Sequence, residues 1–195
     1  MECRMLPIGK LIDYSAGGGW GKEEKGGDYL TEVAIIRGVD FPSIEQGRTT
    51  PLVSRWEKDG KASKAALRSG DIVIEISGGT DQRPTGRTIF VLPEMLEPYS
   101  CPVIPASFCR VIRPNTSIVF PAYLYYWLQD MYNKGRTWGY QNRSTGLSNF
   151  QFKVFLESEV VRFPELNQQK AIAASLLAFD KKISINNQLN DYLAA

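Results

Sequence analysis

The stretch from Lys134 to Gly146 combines side chains that commonly contact nucleic acids. Its sequence, KGRTWGYQNRSTG, places cations, amides, hydroxyls and two aromatic rings between glycines. Lys and Arg can neutralise phosphates, and Gln and Asn can bind adenine through two hydrogen bonds. The candidate contacts in this stretch are Arg136, Tyr140, Gln141, Asn142, Arg143, Ser144 and Thr145.

Basic residues are concentrated in two regions, although the net charge of the chain is only +2. From Glu45 to Arg68 there are six basic and three acidic residues, and from Cys101 to Arg143 five basic residues are opposed by Asp130 alone. Such a local excess can create a basic face on a nearly neutral protein. Solvated loops with uneven charge are the alternative. The further candidate contacts are Arg48, Arg55, Lys58, Lys61, Lys64, Arg83 and Arg87.

Catalytic signals are weak. The chain contains no His, which removes the usual general base and most zinc sites. A nuclease would need Mg²⁺ held by carboxylates such as Asp71, Glu75 and Asp81, but Asp71 and Glu75 would lie about 13 Å apart along a strand. The glycines from Gly17 to Gly21 lack the Lys-Ser/Thr of a phosphate loop. We expect a binding module without a cofactor or a metal, with a carboxylate-metal nuclease as a less favoured alternative.

The cysteines and the hydropathy pattern indicate the compartment. Cys3, Cys101 and Cys109 lack paired metal-ligand spacing and are typical of free thiols in a reducing environment. No stretch approaches the roughly 18 apolar residues of a membrane span. We expect a soluble, cytoplasmic protein without a membrane partner.

Several short elements would position the candidate contacts. Alternating or β-branched runs predict strands, and Pro121 begins an apolar segment that predicts a buried helix. Lys61 to Arg68 predicts a short helix or an irregular basic loop. The predicted strands are Tyr29–Ile36, a run beginning at Ile72, Arg87–Leu92, Phe108–Ile112 and Val154–Phe163, and the predicted helix is Ala122–Met131.

The C-terminal segment predicts one long helix. The 29 residues from Glu165 to Leu193 contain no Gly or Pro, which would give a helix of roughly 45 Å. One stripe along it has the heptad spacing of a coiled coil, in which Asn can set the register. The predicted dimerisation residues are Ile172, Leu176, Phe179, Ile183, Asn186, Asn190 and Leu193. An amphipathic helix packed on its own domain is the alternative.

These segments resemble the DNA specificity subunit of type I restriction-modification enzymes. Phe163-Pro164-Glu165-Leu166-Asn167-Gln168-Gln169 and the following Ile172-Ala173 are similar to that family's Pro, Leu-x-x-Gln, Ile-Ala pattern. Gly70-Asp71-Ile72 and Gly146-Leu147-Ser148 agree with two further landmarks in order and spacing. The chain has Asn167 and Gln168 where the family often has acidic residues. It has room for one recognition domain and one helix, which suggests a half-subunit, a truncated product or a fragment.

The resemblance implies an α+β recognition domain at residues 1–163 with a β-helix-like strand arrangement, and a helical spacer at residues 164–195 that forms a coiled coil. It implies sequence-specific binding to one half of a split double-stranded DNA target and a homodimer through the helix. The expected partners are modification (methyltransferase) subunits and a restriction (motor-nuclease) subunit, which would supply the chemistry. An assembly protein that uses the helix without binding DNA remains the alternative from a different class.

Overall fold

The computed structural model describes residues 3–48, 51–144 and 147–194. Within these ranges the strands are β1 (Arg4–Pro7), β2 (Ile12–Gly17), β3 (Tyr29–Ile36), β4 (Val53–Lys58), β5 (Ile72–Glu75), β6 (Ser77–Gly79), β7 (Thr88–Phe90), β8 (Val103–Pro105), β9 (Cys109–Pro114), β10 (Gln141–Ser144), β11 (Leu147–Phe150) and β12 (Val160–Phe163). The helices are α1 (Phe41–Glu45), α2 (Asp59–Ala65), α3 (Pro121–Asn133), α4 (Phe152–Ser158) and α5 (Leu166–Ala194). The sheet orders are β1-β12, β10-β11-β6, β2-β9-β5-β7 and β4-β3-β8.

Strand β5 lies in the middle of the core. Ile72 and Ile74 pack into one apolar cluster with helix α3, whereas Val73 faces a second cluster that contains Val111 of β9. Successive strand residues point to opposite faces, so a β-branched run without polar alternation fits a strand that is buried on both sides. The predicted strand at Ile72 is therefore confirmed, and the structure adds that it is buried on both sides.

The Gly-Asp-Ile landmark has a physical explanation in the turn before β5. Gly70 has a φ of +88°, a conformation that favours glycine. The buried Asp71 carboxylate accepts hydrogen bonds from the Arg68 amide at 2.8 Å and from Arg113 at 2.7 and 2.8 Å. The turn thus joins β5 to the neighbouring strand β9 through an internal ion pair.

The segment Val154–Phe163 was predicted as one strand, and this is wrong. Residues 152–158 form α4, and only residues 160–163 form a strand, β12, which pairs antiparallel with β1. Phe152, Phe155 and Leu156 have helical spacing and pack together on the first core cluster. Their packing outweighs the strand propensity of the individual residues.

The described part of the stretch Lys134–Gly146 forms regular elements. A 3₁₀ helix spans Arg136–Tyr140, and β10 follows directly and pairs with β11 as a hairpin. The candidate contacts from Arg136 to Ser144 therefore lie on regular structure.

Helix α5 is a single helix of 29 residues, as predicted. Its first turns are anchored by the buried Gln169 side chain. Oε1 of Gln169 accepts a hydrogen bond from the Phe120 amide at 2.8 Å, and Nε2 donates to the Pro164 carbonyl at 2.8 Å. The Gln of the Leu-x-x-Gln pattern therefore joins the start of α5 to the start of α3. Among the described residues, no helix is both long and apolar enough to cross a membrane.

The outer half of α5 also contacts its own domain. Tyr126 donates a hydrogen bond to Asp180 at 2.6 Å, and Gln188 donates to the Gly47 carbonyl at 3.0 Å. Burial, together with the Asp180 carboxylate, raises the pKa of Tyr126. One face of α5 is thus packed on the domain along much of its length, largely through polar side chains.

The predicted seam lies on a different face of α5 and is exposed. The exposed fractions of Ile172, Leu176, Phe179, Ile183 and Leu193 range from 37% to 72%. Asn186 and Asn190 are also exposed. The α+β class and the long C-terminal helix are confirmed, while the coiled-coil pairing and the division at residues 163 and 164 stay predictions.

Candidate nucleic-acid interface

The glycine loop after β2 packs closely on the turn between β8 and β9. The Gly18 amide donates to the Cys109 carbonyl and the Gly19 amide to the Pro105 carbonyl, both at 2.9 Å. A Cβ atom at Gly18 would collide with the carbonyl oxygens of Pro105 and Ala106, so this approach requires glycine. The turn between β8 and β9 is also joined to β6 by a backbone hydrogen bond, in which the Ser77 amide donates to the Phe108 carbonyl at 3.2 Å.

The β10–β11 hairpin extends this surface through its pairing with β6. Its register places Asn142 opposite Asn149, and both side chains are exposed. Ser148 precedes Asn149 in β11, points to the opposite face of the strand and is buried. The hairpin therefore presents two amide side chains from adjacent strands to solvent.

Gln141 has the same functional group as Asn142 but different surroundings. Its Oε1 accepts a hydrogen bond from the buried Thr85 amide at 3.0 Å, and its Nε2 donates to Ser148 Oγ at 3.0 Å. Both ends of this amide are engaged inside the protein. Tyr140 is also turned inward: its hydroxyl donates to Glu159 at 2.7 Å and its ring packs on Phe155.

Three further predicted contacts, Arg143, Ser144 and Thr145, follow Asn142 in sequence. Arg143 and Ser144 belong to β10 by their backbone, which pairs with Ser148 and Leu147. Thr145 lies outside the described residues.

Arg55 and Lys58 lie on β4 within a group of cations that pack on aromatic rings. The Arg55 guanidinium lies 5.1 Å from the Trp20 ring centroid, and Lys58 Nζ lies 5.3 Å from that of Tyr29. Each cation also has an exposed carboxylate partner, Glu23 at 3.1 Å and Asp28 at 3.0 Å respectively. Cations and stackable rings are both used to bind nucleic acids.

Lys61 and Lys64 lie on α2. The ammonium group of Lys61 donates to the Gly17 carbonyl at 2.9 Å, and Lys64 is exposed. Arg110 of β9 lies beside Lys61 at the same glycine. Sequence reasoning placed Arg110 in a basic region but did not select it. The strand register that puts it opposite Gly17 is a long-range pairing.

Arg83 and Arg87 hold a buried carboxylate. Glu75 binds Arg83 at 2.7 Å and Arg87 at 2.8 Å, and Arg87 also donates to the Gly38 carbonyl at 2.8 Å. The Glu75 side chain is only 5% exposed, so these arginines compensate a buried charge. Their predicted contact with DNA stays a prediction.

Arg48 and Arg136 lie apart from the glycine loop and also have carboxylate partners. Arg48 binds Asp191 of α5 at 2.8 Å, and this contact lowers the pKa of Asp191. Arg136 pairs with the buried Glu159 and lies over the Trp127 ring. The candidate cations therefore do not form one continuous surface.

Two of the three carboxylates considered for a nuclease, Asp71 and Glu75, are engaged by arginines. Asp71 binds Arg113, and Glu75 binds both Arg83 and Arg87. In the ranges that the structure describes, no group of three or more His, Cys, Asp or Glu side chains is placed to hold a metal ion. The geometry favours contact with a ligand through cations and amides.

Comparison with known proteins gives a family and related folds. The sequence matches the family described as "Type I restriction modification DNA specificity domain" over residues 23–195. No curated protein sequence matches the chain.

Three solved structures resemble the fold over 98% of this chain. A type I restriction-modification S subunit from M. genitalium has 16% identity and a TM-score of 0.57, and the HsdS subunit from Thermoanaerobacter tengcongensis has 15% and 0.59. A chain from a structure concerned with complex assembly and conformational transition of the type I R-M system has 14% and 0.58. The match spans 44%, 45% and 41% of those chains respectively. With the family match over most of its length, this chain belongs to the type I restriction-modification DNA specificity domain family.

Proposed function

We propose that this chain recognises one half of a bipartite double-stranded DNA target and acts as a specificity unit of a type I restriction-modification enzyme. The observation that carries this proposal is the family membership over residues 23–195. The surface described above supports it, because exposed amides and cations adjoin one group of loops. The unit itself contributes no catalysis.

We assign base contacts to the β10–β11 hairpin, with Asn142 as the first candidate and Arg143, Ser144 and Thr145 beside it in sequence. Arg55, Lys58, Lys61 and Lys64 supply phosphate contacts. Arg55 and Lys58 pair with exposed carboxylates, Glu23 and Asp28. The remaining predicted residues bond to buried groups or, for Arg48, to α5, and we assign them to hold the fold: Arg48, Arg83, Arg87, Arg136, Tyr140 and Gln141. A cation paired with an exposed carboxylate can exchange it for DNA at less cost than one that compensates a buried group.

The unit works in the cytoplasm with partners that carry out the chemistry. Modification subunits methylate the target, and a restriction subunit cleaves DNA. The exposed seam of α5 joins two copies of the chain, and the length of the helix then sets the distance between the two half-sites.

Binding to a labelled random-sequence duplex tests this function. A unit that contacts about four phosphates should lose roughly a hundredfold in affinity between about 50 and 200 mM salt, because binding releases condensed counterions. Fluorescence anisotropy with the full chain, alone and mixed with modification subunits, gives this slope. Absence of binding in both samples would contradict the proposal and favour an assembly protein that uses only the helix.

A further inference from the structure

Two cations converge on the open space above Gly17. A Cβ atom added to this glycine would lie 3.7 Å from Arg110 Nη1 and 3.9 Å from Lys61 Nζ. These are ordinary contact distances, so the two cationic groups border the volume that a side chain would otherwise fill. The two cations come from different elements, β9 and α2.

Arg110 differs from the other half-buried arginines in lacking a carboxylate. Arg37, Arg55, Arg83, Arg87 and Arg113 each form an ion pair with an Asp or Glu among the described residues. Among residues 3–48, 51–144 and 147–194, neither Arg110 nor Lys61 has a carboxylate within 4.0 Å. Burial lowers the pKa of Arg110, with no opposing effect from a neighbouring acid. A half-buried charge without compensation is costly unless a ligand supplies the opposite charge.

Both cationic groups are held in place, and each has donors without a partner among the described residues. The Arg110 guanidinium lies 4.8 Å from the Phe152 ring centroid, and its Nε donates to Ser15 Oγ at 3.3 Å. Within the described ranges, the ammonium group of Lys61 donates to the Gly17 carbonyl alone. A guanidinium has five N–H donors and an ammonium group three, so each retains donors for a ligand. The site is therefore preorganised for an anion with several acceptor oxygens.

We propose that a phosphodiester group of the DNA backbone binds above Gly17, with Arg110 and Lys61 donating hydrogen bonds to its non-bridging oxygens. Arginine matches phosphate geometry through two parallel N–H groups, and lysine adds a point charge. This inference rests on the proposed function and deepens it by naming a phosphate contact. The adjoining loop, from Gly18, is hydrogen-bonded to the turn that contacts β6, and β6 pairs with the hairpin. A phosphate fixed at Gly17 thus sets the position of the duplex relative to Asn142 and Asn149.

Gly17→Ala tests the site without changing its charge. The added methyl group makes only ordinary contacts with the protein, so we expect the unfolding midpoint to stay unchanged. It occupies the proposed phosphate position, so affinity for a random-sequence duplex should fall about tenfold, equally for all sequences. Gly60→Ala, one residue before Lys61 and with nothing within 4 Å of its added Cβ, is the matched control and should retain the affinity.

Arg110→Gln and Lys61→Gln extend the test. Each should reduce the slope of log affinity against log salt by about one. If the wild-type chain binds DNA with a strong salt dependence and all three variants keep its affinity and slope, this inference is wrong while the proposed function stands. If wild-type chain does not bind DNA even with modification subunits, the proposed function itself fails.

A third arm distinguishes DNA from free phosphate. Inorganic phosphate is titrated against the wild-type chain and Arg110→Gln, and thermal unfolding is followed at constant ionic strength. Phosphate could stabilise the wild-type chain but not Arg110→Gln, while Gly17→Ala, Arg110→Gln and Lys61→Gln still bind DNA as the wild-type chain does. That result would assign the site to a free phosphate compound and overturn the DNA contact. A loss of DNA affinity in Gly17→Ala with folding intact supports it.

Discussion

Gln141 and Asn142 are adjacent amides in β10 whose surroundings separate their roles. The first bonds to Thr85 and Ser148 inside the protein, whereas the second is exposed opposite Asn149. A sequence pattern assigns both to DNA with equal weight, because the residue types are equivalent for hydrogen bonding. The strand alternation and the contact with residue 85 decide between them.

Alanine substitution should separate these two residues. Asn142→Ala should change the preference among DNA sequences, since a bidentate base contact contributes about 1–3 kcal/mol of discrimination, and should leave stability unchanged. Gln141→Ala should lower the free energy of unfolding by about 1–3 kcal/mol, because the buried Thr85 amide loses its acceptor, with little change in preference. Binding to a library of duplexes and urea unfolding measure the two effects. An equal loss on every sequence for Asn142→Ala would make Asn142 a phosphate contact.

At the scale of an element, helix α5 has two distinct faces: one is packed on the domain and the other exposes the apolar seam. Its inner face carries polar residues that bond to the domain, from Gln169 to the pair Asp191 and Arg48. Exposed ion pairs contribute little by themselves. The tight approach of α5 to Gly47 is therefore the more important contact of the outer half. Gly47 has a φ of +69°, and a Cβ atom there would overlap Ser184.

Gly47→Ala should loosen the outer half of α5. The substitution introduces both a strained backbone and a collision with Ser184, so hydrogen exchange around residues 184–191 should accelerate about tenfold or more. Exchange in β5 should not change, which distinguishes local release of the helix from global unfolding. Gly60→Ala is again the control, since its added Cβ meets nothing within 4 Å. Unchanged exchange at residues 184–191 would contradict the role assigned to this contact.

On the scale of the whole molecule, α5 exposes an apolar seam while its inner face is packed on the domain. Phe179 is 64% exposed and Ile183 is 52% exposed, and both lie at the predicted heptad positions. Burying such side chains against a second copy contributes about 1.5–3 kcal/mol each. The seam therefore predicts self-association of the folded chain, independent of its binding to DNA.

Phe179→Glu should weaken that association. The substitution occurs once in each copy, so the dissociation constant should rise more than a hundredfold, corresponding to about 3 kcal/mol or more. Sedimentation velocity at tens of micromolar should give a dimer for the wild-type chain and a monomer for the variant. Ala174→Glu, on the exposed side of α5 opposite the seam, adds the same charge and should remain dimeric. A monomeric wild-type chain at that concentration would contradict pairing through this seam.

Local signals were sufficient for the elements whose formation depends on nearby residues. The long stretch without Gly or Pro predicted α5, and the β-branched run after Asp71 predicted β5, because helix continuity and strand propensity are visible in neighbouring residues. The prediction of a strand at Val154–Phe163 was wrong, since Phe152, Phe155 and Leu156 form a helical face only against a core assembled from distant parts of the chain.

By itself, the sequence determined the C-terminal helix, its apolar stripe and the family pattern around Pro164, all of which depend on residue types at short spacing. The α+β class was implied by the resemblance that this pattern carries. Only the tertiary structure decided which polar groups remain available. Arg113 and Arg110 are close in sequence on β9, yet the first binds Asp71 and the second faces the space above Gly17. The physical reason is that charge compensation depends on what the strand register and the packing of α2 bring within 4 Å, and these partners lie far away in sequence.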